Sequence, residues 1–190
     1  RLVLAGQYSL LIAGAAVLLS VIIGCVLGVI AGYFGGIIDS LIMGLGDLQL
    51  AVPRVLLVIA VVAVVGPSVP NLIIMLGITS WVVYGRVVRA LTLSLREREF
   101  TLASIVMGAS SGWIIRRHIV PHTLGHMVIM ASFDLGHMVM LEAALSFLGL
   151  GVQAPTASWG LMINEAQSYI STAPALVILP GVAIFMLVAG

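Results

Sequence analysis

Hydrophobic residues divide the chain into long apolar runs that are separated by shorter polar segments. A membrane-spanning helix needs about 20 consecutive apolar residues, and four of the runs reach that length. A fifth run begins near Ala175 and continues to Gly190. The pattern predicts an all-α integral membrane protein, a single transmembrane domain over residues 1–190 with about five transmembrane helices. The first four runs cover roughly residues 8–32, 41–65, 72–93 and 125–150.

The longest polar segment, residues 94–121, is too polar to span a membrane but is not a simple loop. Apolar residues recur in it at helical spacing until Gly108 interrupts the pattern. Pro121 has no backbone N–H, which suits the first turn of the next span. We therefore predict two short amphipathic helices joined at Gly108. The recurring apolar residues are Phe100, Ala103, Val106 and Met107.

Composition agrees with this pattern, since 62% of the residues are hydrophobic, 8% are charged and the mean hydropathy is +1.26. Soluble domains carry about 25% charged residues, so lipid must surround most of this chain. The sequence contains no lysine. A nucleotide-binding P-loop needs a lysine to reach the phosphates, so this chain does not bind ATP through such a loop.

Six of the eight arginines lie between Arg86 and Arg117. Arginine collects in cytoplasmic loops because its transfer across a bilayer is costly, so we place residues 94–121 in the cytoplasm. Three predicted spans precede this segment, which puts Arg1 outside. Because the chain starts outside without an initiating methionine, we expect it to be trimmed at both ends and the full chain to have six spans.

Residues 152–173 form a second mixed segment, which the same orientation places on the outer side. An apolar stripe at helical spacing predicts a short helix at the membrane surface, with Trp159 as an interfacial anchor. The stripe consists of Trp159, Met162, Ile163, Ala166 and Ile170.

Small residues occupy every fourth position along most of the first run. Such a stripe lets another helix approach closely, because packing drives helix association in lipid. We therefore predict a helix-packing surface at Gly24, Gly28 and Gly32. The whole stripe is Ala16, Ser20, Gly24, Gly28 and Gly32.

Four charged residues lie within or near apolar runs, where each costs about 2.5–3.5 kcal/mol at a helix centre. They should therefore face the bundle interior, a partner or water. For Asp47 and Glu142 two interpretations stay open: they line a hydrophilic translocation path, or they form hydrogen bonds between helices. The four residues are Asp47, Arg54, Asp134 and Glu142.

His118, His122 and His126 would share one helix face, at a spacing that can chelate a metal. No carboxylate or cysteine lies close to them in the sequence, so we expect no metal site. Ser110 and Ser111 lack a base in any recognisable catalytic arrangement. We therefore expect that the chain is not itself an enzyme.

Gly108, followed after twelve residues by Pro121, resembles the cytoplasmic loop of permease subunits in binding-protein-dependent ABC importers. Further stretches resemble the C-type subunit of the dipeptide, oligopeptide and nickel branch of that family. Where the family has Glu-Ala-Ala, this sequence has Leu102-Ala103-Ser104, and His122 replaces an asparagine. The further stretches are LSLREREF before the loop, IIRRHIVPH within it, EAALSFLGLGVQAPTASWG at 142–160 and GVIAGYFGGIID at 28–39.

The resemblance implies the transmembrane fold of a type I ABC importer in the cytoplasmic (inner) membrane. It implies that residues 94–121 form coupling helices that sit in a cleft of an ATPase subunit. Its expected partners are a homologous permease subunit, two ATPase subunits and an extracytoplasmic substrate-binding protein, with no nucleic acid. The coupling residues implied by the resemblance are Leu102, Ala103, Ser104, Gly108, Ile115, Arg117, His118 and Pro121.

The function that the resemblance implies is ATP-driven import of peptides, although nickel chelates and other cargo also use chains of this kind. The ATPase subunits would use ATP and Mg, and this chain would bind no cofactor. Two other functions compete with this one. An ion-coupled secondary transporter would show inverted repeats, and no symmetric halves are visible in the sequence. A non-transporting membrane scaffold would tolerate replacement of residues 101–121.

Overall fold

A computed structural model describes residues 1–189, and Gly190 lies outside the described part of the chain. Within residues 1–189 the regular structure is entirely helical, which confirms the predicted all-α class. A π-helical turn, Ile115–Ile119, joins α6 to α7, and a short 3₁₀ turn, Gln167–Tyr169, follows α8. The helices are α1 (Leu2–Phe34), α2 (Gly36–Leu50), α3 (Arg54–Val65), α4 (Val69–Arg96), α5 (Glu99–Val106), α6 (Ser111–Ile114), α7 (Val120–Phe147), α8 (Trp159–Ala166) and α9 (Ala175–Ala189).

Three helices among the described residues are long and apolar enough to cross a membrane, namely Leu2–Phe34, Val69–Arg96 and the continuous Ser111–Phe147. The pair α2 and α3 gives a fourth span only if both are counted as one, because they are bent by 86°. The described part of α9 has 15 residues, which is short of the length that a span needs. By length and composition the described residues thus contain three spans, or four if α2 and α3 are counted as one, and α9 forms the described part of the fifth predicted run.

The second apolar run, residues 41–65, was predicted to form one span, and the structure corrects this. The helix ends at Leu50 and a new one begins at Arg54. Pro53 has no N–H to donate, and its ring disfavours helical backbone at Val52. The run is apolar throughout most of its length, so hydropathy alone did not reveal the break.

Residues 33–40 separate the first two predicted spans, but the turn between the helices is shorter than this gap. The chain turns at Gly35 and Gly36, whose φ angles are +66° and +55°. Because left-handed backbone of this kind is accessible to glycine at little cost, the turn needs only these two residues. The helix α2 therefore already includes Asp39.

The predicted helix start at Pro121 is wrong, since α6 continues through the π turn into α7 without a break. The backbone N–H of Val120 donates to the carbonyl of Ile115, five residues earlier. A proline ring inside a regular helix clashes with the carbonyl four residues before it, and the wider π turn relieves this contact. The second amphipathic helix and the membrane span are thus one element.

The described residues group into two compact units. One comprises Leu19–Val52 and Ile78–Ala131, and the other comprises Arg1–Leu18, Pro53–Gly77 and the residues from Ser132 onward. Three of the helices, α1, α4 and α7, contribute residues to both units.

In the first of these units, the glycine stripe of α1 lies directly against α4. A Cβ atom added at Gly28 would lie 2.5 Å from the carbonyl oxygen of Gly85, and one at Gly32 would lie 2.8 Å from that of Arg89. Since backbone atoms cannot move aside cheaply, these positions of α1 require glycine for the observed helix separation. The facing pairs are Gly24 with Tyr84, Gly28 with Gly85 and Gly32 with Arg89.

In the second unit, Trp159 packs inside the protein and is not the exposed interfacial anchor that the sequence predicted. Its side chain is buried, and its indole N–H donates to the carbonyl of Leu2 at 3.1 Å. Its backbone N–H donates to Ser9 Oγ at 3.2 Å. A Cβ atom at Gly6 would lie 2.6 Å from the indole ring, so α1 provides a flat surface for Trp159.

Candidate functional site

The candidate site is the segment of residues 99–121, called the elbow below. Its first arm is α5, which ends in a Schellman motif. The N–H of Ala109 donates to the carbonyl of Ser104 at 3.0 Å, and the N–H of Gly108 donates to that of Ile105 at 2.9 Å. Gly108 has a φ angle of +83°, which L side chains rarely adopt. The glycine therefore sets the angle at which the chain leaves α5.

The second arm of the elbow begins at Ser110. The Ser110 hydroxyl caps α6 by accepting a hydrogen bond from the backbone N–H of Trp113. Ile114 and Ile119 of this arm are buried in a hydrophobic cluster with Val88 and Met127. The second arm is therefore fixed to the helices of its unit by apolar packing.

The two arms are joined through His118. Its Nε2 atom lies 3.2 Å from Ser104 Oγ. The Phe100 ring lies 5.3 Å from the His118 ring and stacks on the His122 ring at 5.6 Å. The Trp113 ring meets His118 edge-on at 5.2 Å. Because the contacts come from both arms, the elbow has a folded core of its own.

The surface of the elbow exposes several large apolar side chains. Val106 is 87% exposed and Met107 is 79% exposed. Contiguous apolar surface of this kind marks sites that bind proteins or membranes. The exposed large apolar residues of the elbow are Phe100, Leu102, Ile105, Val106, Met107 and Trp113.

Two arginines accompany this apolar surface. Arg116 and Arg117 are both exposed, and with Trp113 they line an open depression of about 190 Å³. The elbow therefore presents positive charge beside exposed apolar side chains.

The structure divides the coupling residues that the sequence suggested into a surface group and an internal group. Leu102, Ala103, Gly108, Arg117 and Pro121 are exposed. Ser104 is buried, and Ile115 and His118 are partly buried. Only the surface group can touch a partner in this conformation.

Two ion pairs link α2 to α4, and neither pair was predicted from the sequence. Both carboxylate oxygens of Asp39 accept from Arg89, and the Nη2–Oδ2 distance is 2.5 Å. Asp47 accepts from Arg86 at 2.5 Å and is exposed. One signal for them was present, because Arg86 and Arg89 are three residues apart and so lie on one face of α4. Two of the clustered arginines thus serve helix packing.

Glu142, the other residue suggested for a translocation path, has no exposed surface. One carboxylate oxygen accepts from Ser146 Oγ at 2.7 Å. Ser146 Oγ in turn accepts from the N–H of Val152 at 3.1 Å, which ties the end of α7 to the following loop. In this conformation the burial favours the packing interpretation for Glu142.

Among residues 1–189, no group of three His, Cys, Asp or Glu side chains is arranged to hold a metal ion. His122 Nδ1 instead donates to the carbonyl of His118 at 2.6 Å.

The elbow lies within a region that matches a known protein family. The model of the family "Binding-protein-dependent transport system inner membrane component" matches residues 24–190, which includes the whole elbow. The chain belongs to this family. It is accordingly a multi-pass component of the inner membrane, as the resemblance implied.

The names of similar proteins mention several different substrates. The chain is 42% identical to the dipeptide transport system permease protein DppC of Alkalihalophilus pseudofirmus, over 100% of this chain and 62% of that protein. It is 40% identical to the nickel transport system permease protein NikC of Escherichia coli K12, over 98% of this chain and 67% of the relative. It is 42% identical to the glutathione transport system permease protein GsiD of Escherichia coli O6:K15:H31, over 99% of this chain and 62% of the relative.

Solved structures give the same fold at low sequence identity. Two crystal forms of inward-facing MetNI methionine ABC transporter contain a chain that matches with TM-scores of 0.71 and 0.70, at 19% and 17% identity. The matches cover 99% and 98% of this chain, and 89% and 91% of the solved chains. This confirms the transmembrane fold of an ABC importer that the resemblance implied.

Proposed function

We propose that the chain acts as a transmembrane permease subunit of an ATP-driven importer that moves peptides across the inner membrane. A homologous permease subunit would complete the path, and separate ATPase subunits would bind ATP and Mg. An extracytoplasmic binding protein would deliver the substrate. The chain itself would neither bind nor hydrolyse ATP.

The observation that carries this proposal is the elbow. It is a compact, internally packed segment that exposes apolar side chains and two arginines, and it is continuous with a membrane span. A helix that presents an apolar face suits a groove in a partner protein. Family membership supports an ATPase as that partner, and the names of the relatives support peptides as cargo.

Gly108 allows a direct test with a matched control. Gly108→Ala forces an L side chain into a left-handed conformation, at a cost of about 1–2 kcal/mol. Gly112→Ala adds the same methyl group in α6, where no atom lies within 4 Å of the new Cβ. The full-length permease is purified as its assembled complex, and the amount of ATPase subunit that purifies with it is measured. For the Gly108 variant we expect this amount to fall by a factor of about five or more.

The Gly112 variant should retain ATPase at the wild-type level. Absence of any ATPase from the wild-type complex would refute the proposed function. Equal retention by both variants would show that the geometry at Gly108 does not govern docking.

Energy coupling can be tested separately with intact cells and labelled dialanine as the probe. The proposal predicts that vanadate, but not a protonophore applied at constant ATP, abolishes uptake that depends on the permease. Loss of uptake with the protonophore alone would favour an ion-coupled secondary transporter. A labelled nickel chelate in the same assay distinguishes the cargo classes suggested by the names of the relatives.

A further inference from the structure

The buried contact between the arms of the elbow has a defined direction. Ser104 Oγ donates its single proton to the carbonyl of Phe100 at 2.8 Å. The hydroxyl oxygen can therefore only accept from the ring of His118, so His118 Nε2 carries a proton.

Ser104 is 4% exposed. A partner that sits on the outer side of α5 meets Leu102, Ile105 and Val106, and cannot reach Ser104 without unpacking the elbow. The contact between Ser104 and His118 is thus internal to this chain.

The second arm connects this contact to the membrane span. His118 lies in the π turn, and the helix runs without interruption from Ser111 to Phe147. Ile114 and Ile119, on either side of His118, are almost completely buried. A group that fixes α5 to His118 therefore fixes it to the start of the span.

We propose that Ser104 and His118 are positioning residues that pin α5 to the helix entering the membrane. The α5 helix and the start of the span would then move together as one rigid body. The Phe100 ring packs beside the contact between Ser104 and His118. This inference rests on the proposed function, because it assigns these residues to transmission and removes them from the docking contacts.

Spin-label distances give a readout that docking alone would not change. In the full-length permease with Cys25→Ala, labels replace Glu99 on α5 and Ile129 on α7, both of which are exposed and neither of which belongs to the apolar docking surface. In the assembled complex we expect the same distance without nucleotide and after trapping with ATP and vanadate. In His118→Ala we expect the distance to shift on trapping, because α5 then moves separately.

Three variants distinguish a residue that holds α5 to the span from a residue that contacts the ATPase. His118→Ala should retain ATPase at the wild-type level, since the exposed residues of α5 are unchanged. His118→Gln should restore the constant distance, because its side-chain amide can still donate to Ser104 Oγ. His126→Ala, an exposed histidine on the same helix, is the matched control and should change neither measurement.

Two results would overturn the inference. If His118→Ala loses ATPase to the same extent as Gly108→Ala, His118 is a docking contact, although the proposed function stands. If the distance between the two labels stays constant in His118→Ala, His118 does not hold α5 to the span. Should the His118→Ala permease itself fail to fold and be lost from the membrane, Ser104→Ala removes the same hydrogen bond with a smaller change and carries the test with the same two readouts.

Discussion

At the scale of single residues, glycine performs two different tasks in this protein. Gly108 supplies a backbone angle that other residues reach only with strain. Gly28 has ordinary helical backbone, and it is needed for its size and not for its backbone angle. The absence of a side chain lets α1 and α4 touch. The sequence predicted both tasks, because the first glycine interrupts a helical pattern and the second belongs to a regular stripe.

Gly28→Ala should destabilise the protein by about 1–3 kcal/mol, the usual cost of forcing extra atoms into a packed contact. The new Cβ would lie 2.5 Å from the carbonyl oxygen of Gly85, so α1 and α4 must separate. Gly14→Ala, on the same helix with no atom within 4 Å of the new Cβ, should be neutral or slightly stabilising. Reversible unfolding in mixed detergent measures both, and equal stability of the two variants would contradict close packing at Gly28.

At the scale of elements, the structure shows how charged residues are accommodated within apolar helices. The forked guanidinium of Arg89 matches both carboxylate oxygens of Asp39, which gives a pair with fixed geometry between α2 and α4. The pair Arg86 with Asp47 uses the same two helices but is much more exposed. Hydropathy identified only Asp47 of these four residues as a costly charge, and it could not assign the pairs because the partners are far apart in the sequence.

Asp39→Asn should therefore cost more stability than Asp47→Asn. We expect about 1–3 kcal/mol for Asp39, whose removal leaves Arg89 without its charged partner in a partly buried position. For the exposed Asp47 we expect less than about 1 kcal/mol. A double-mutant cycle with Arg89→Gln isolates the interaction, and a coupling free energy near zero would show that the Asp39 pair contributes nothing to packing.

At the scale of the whole molecule, the arginine distribution predicts which end of the helices faces the cytoplasm. Val106, on the elbow, should lie on the inner side, and Tyr169, after α8, should lie on the outer side. Both side chains are exposed, so a cysteine at either position can react with a labelling reagent. The prediction depends on loop charges and on one span between the two positions, namely Ser111–Phe147.

In a Cys25→Ala permease expressed without the ATPase subunits, Val106→Cys should react with a membrane-impermeant maleimide in inside-out vesicles and remain unlabelled in right-side-out vesicles. Tyr169→Cys should give the reverse result. Labelling of both cysteines from the same side would refute the assigned topology, and labelling of Val106→Cys from outside would also refute the proposed function.

The sequence by itself determined the membrane environment, the helical class, the glycine contacts as a candidate surface and the turn at Gly108. These features follow from local patterns, since hydropathy and residue spacing act over one or two helical turns. The tertiary structure decided what spacing leaves open: the sharp bend at Pro53, the continuous helix through Pro121, the burial of Trp159 and the partners of Asp39 and Ser104. Each of these depends on which distant residues come into contact, and an apolar stripe or a lone charge has the same appearance in sequence whether it meets lipid, protein or another charge.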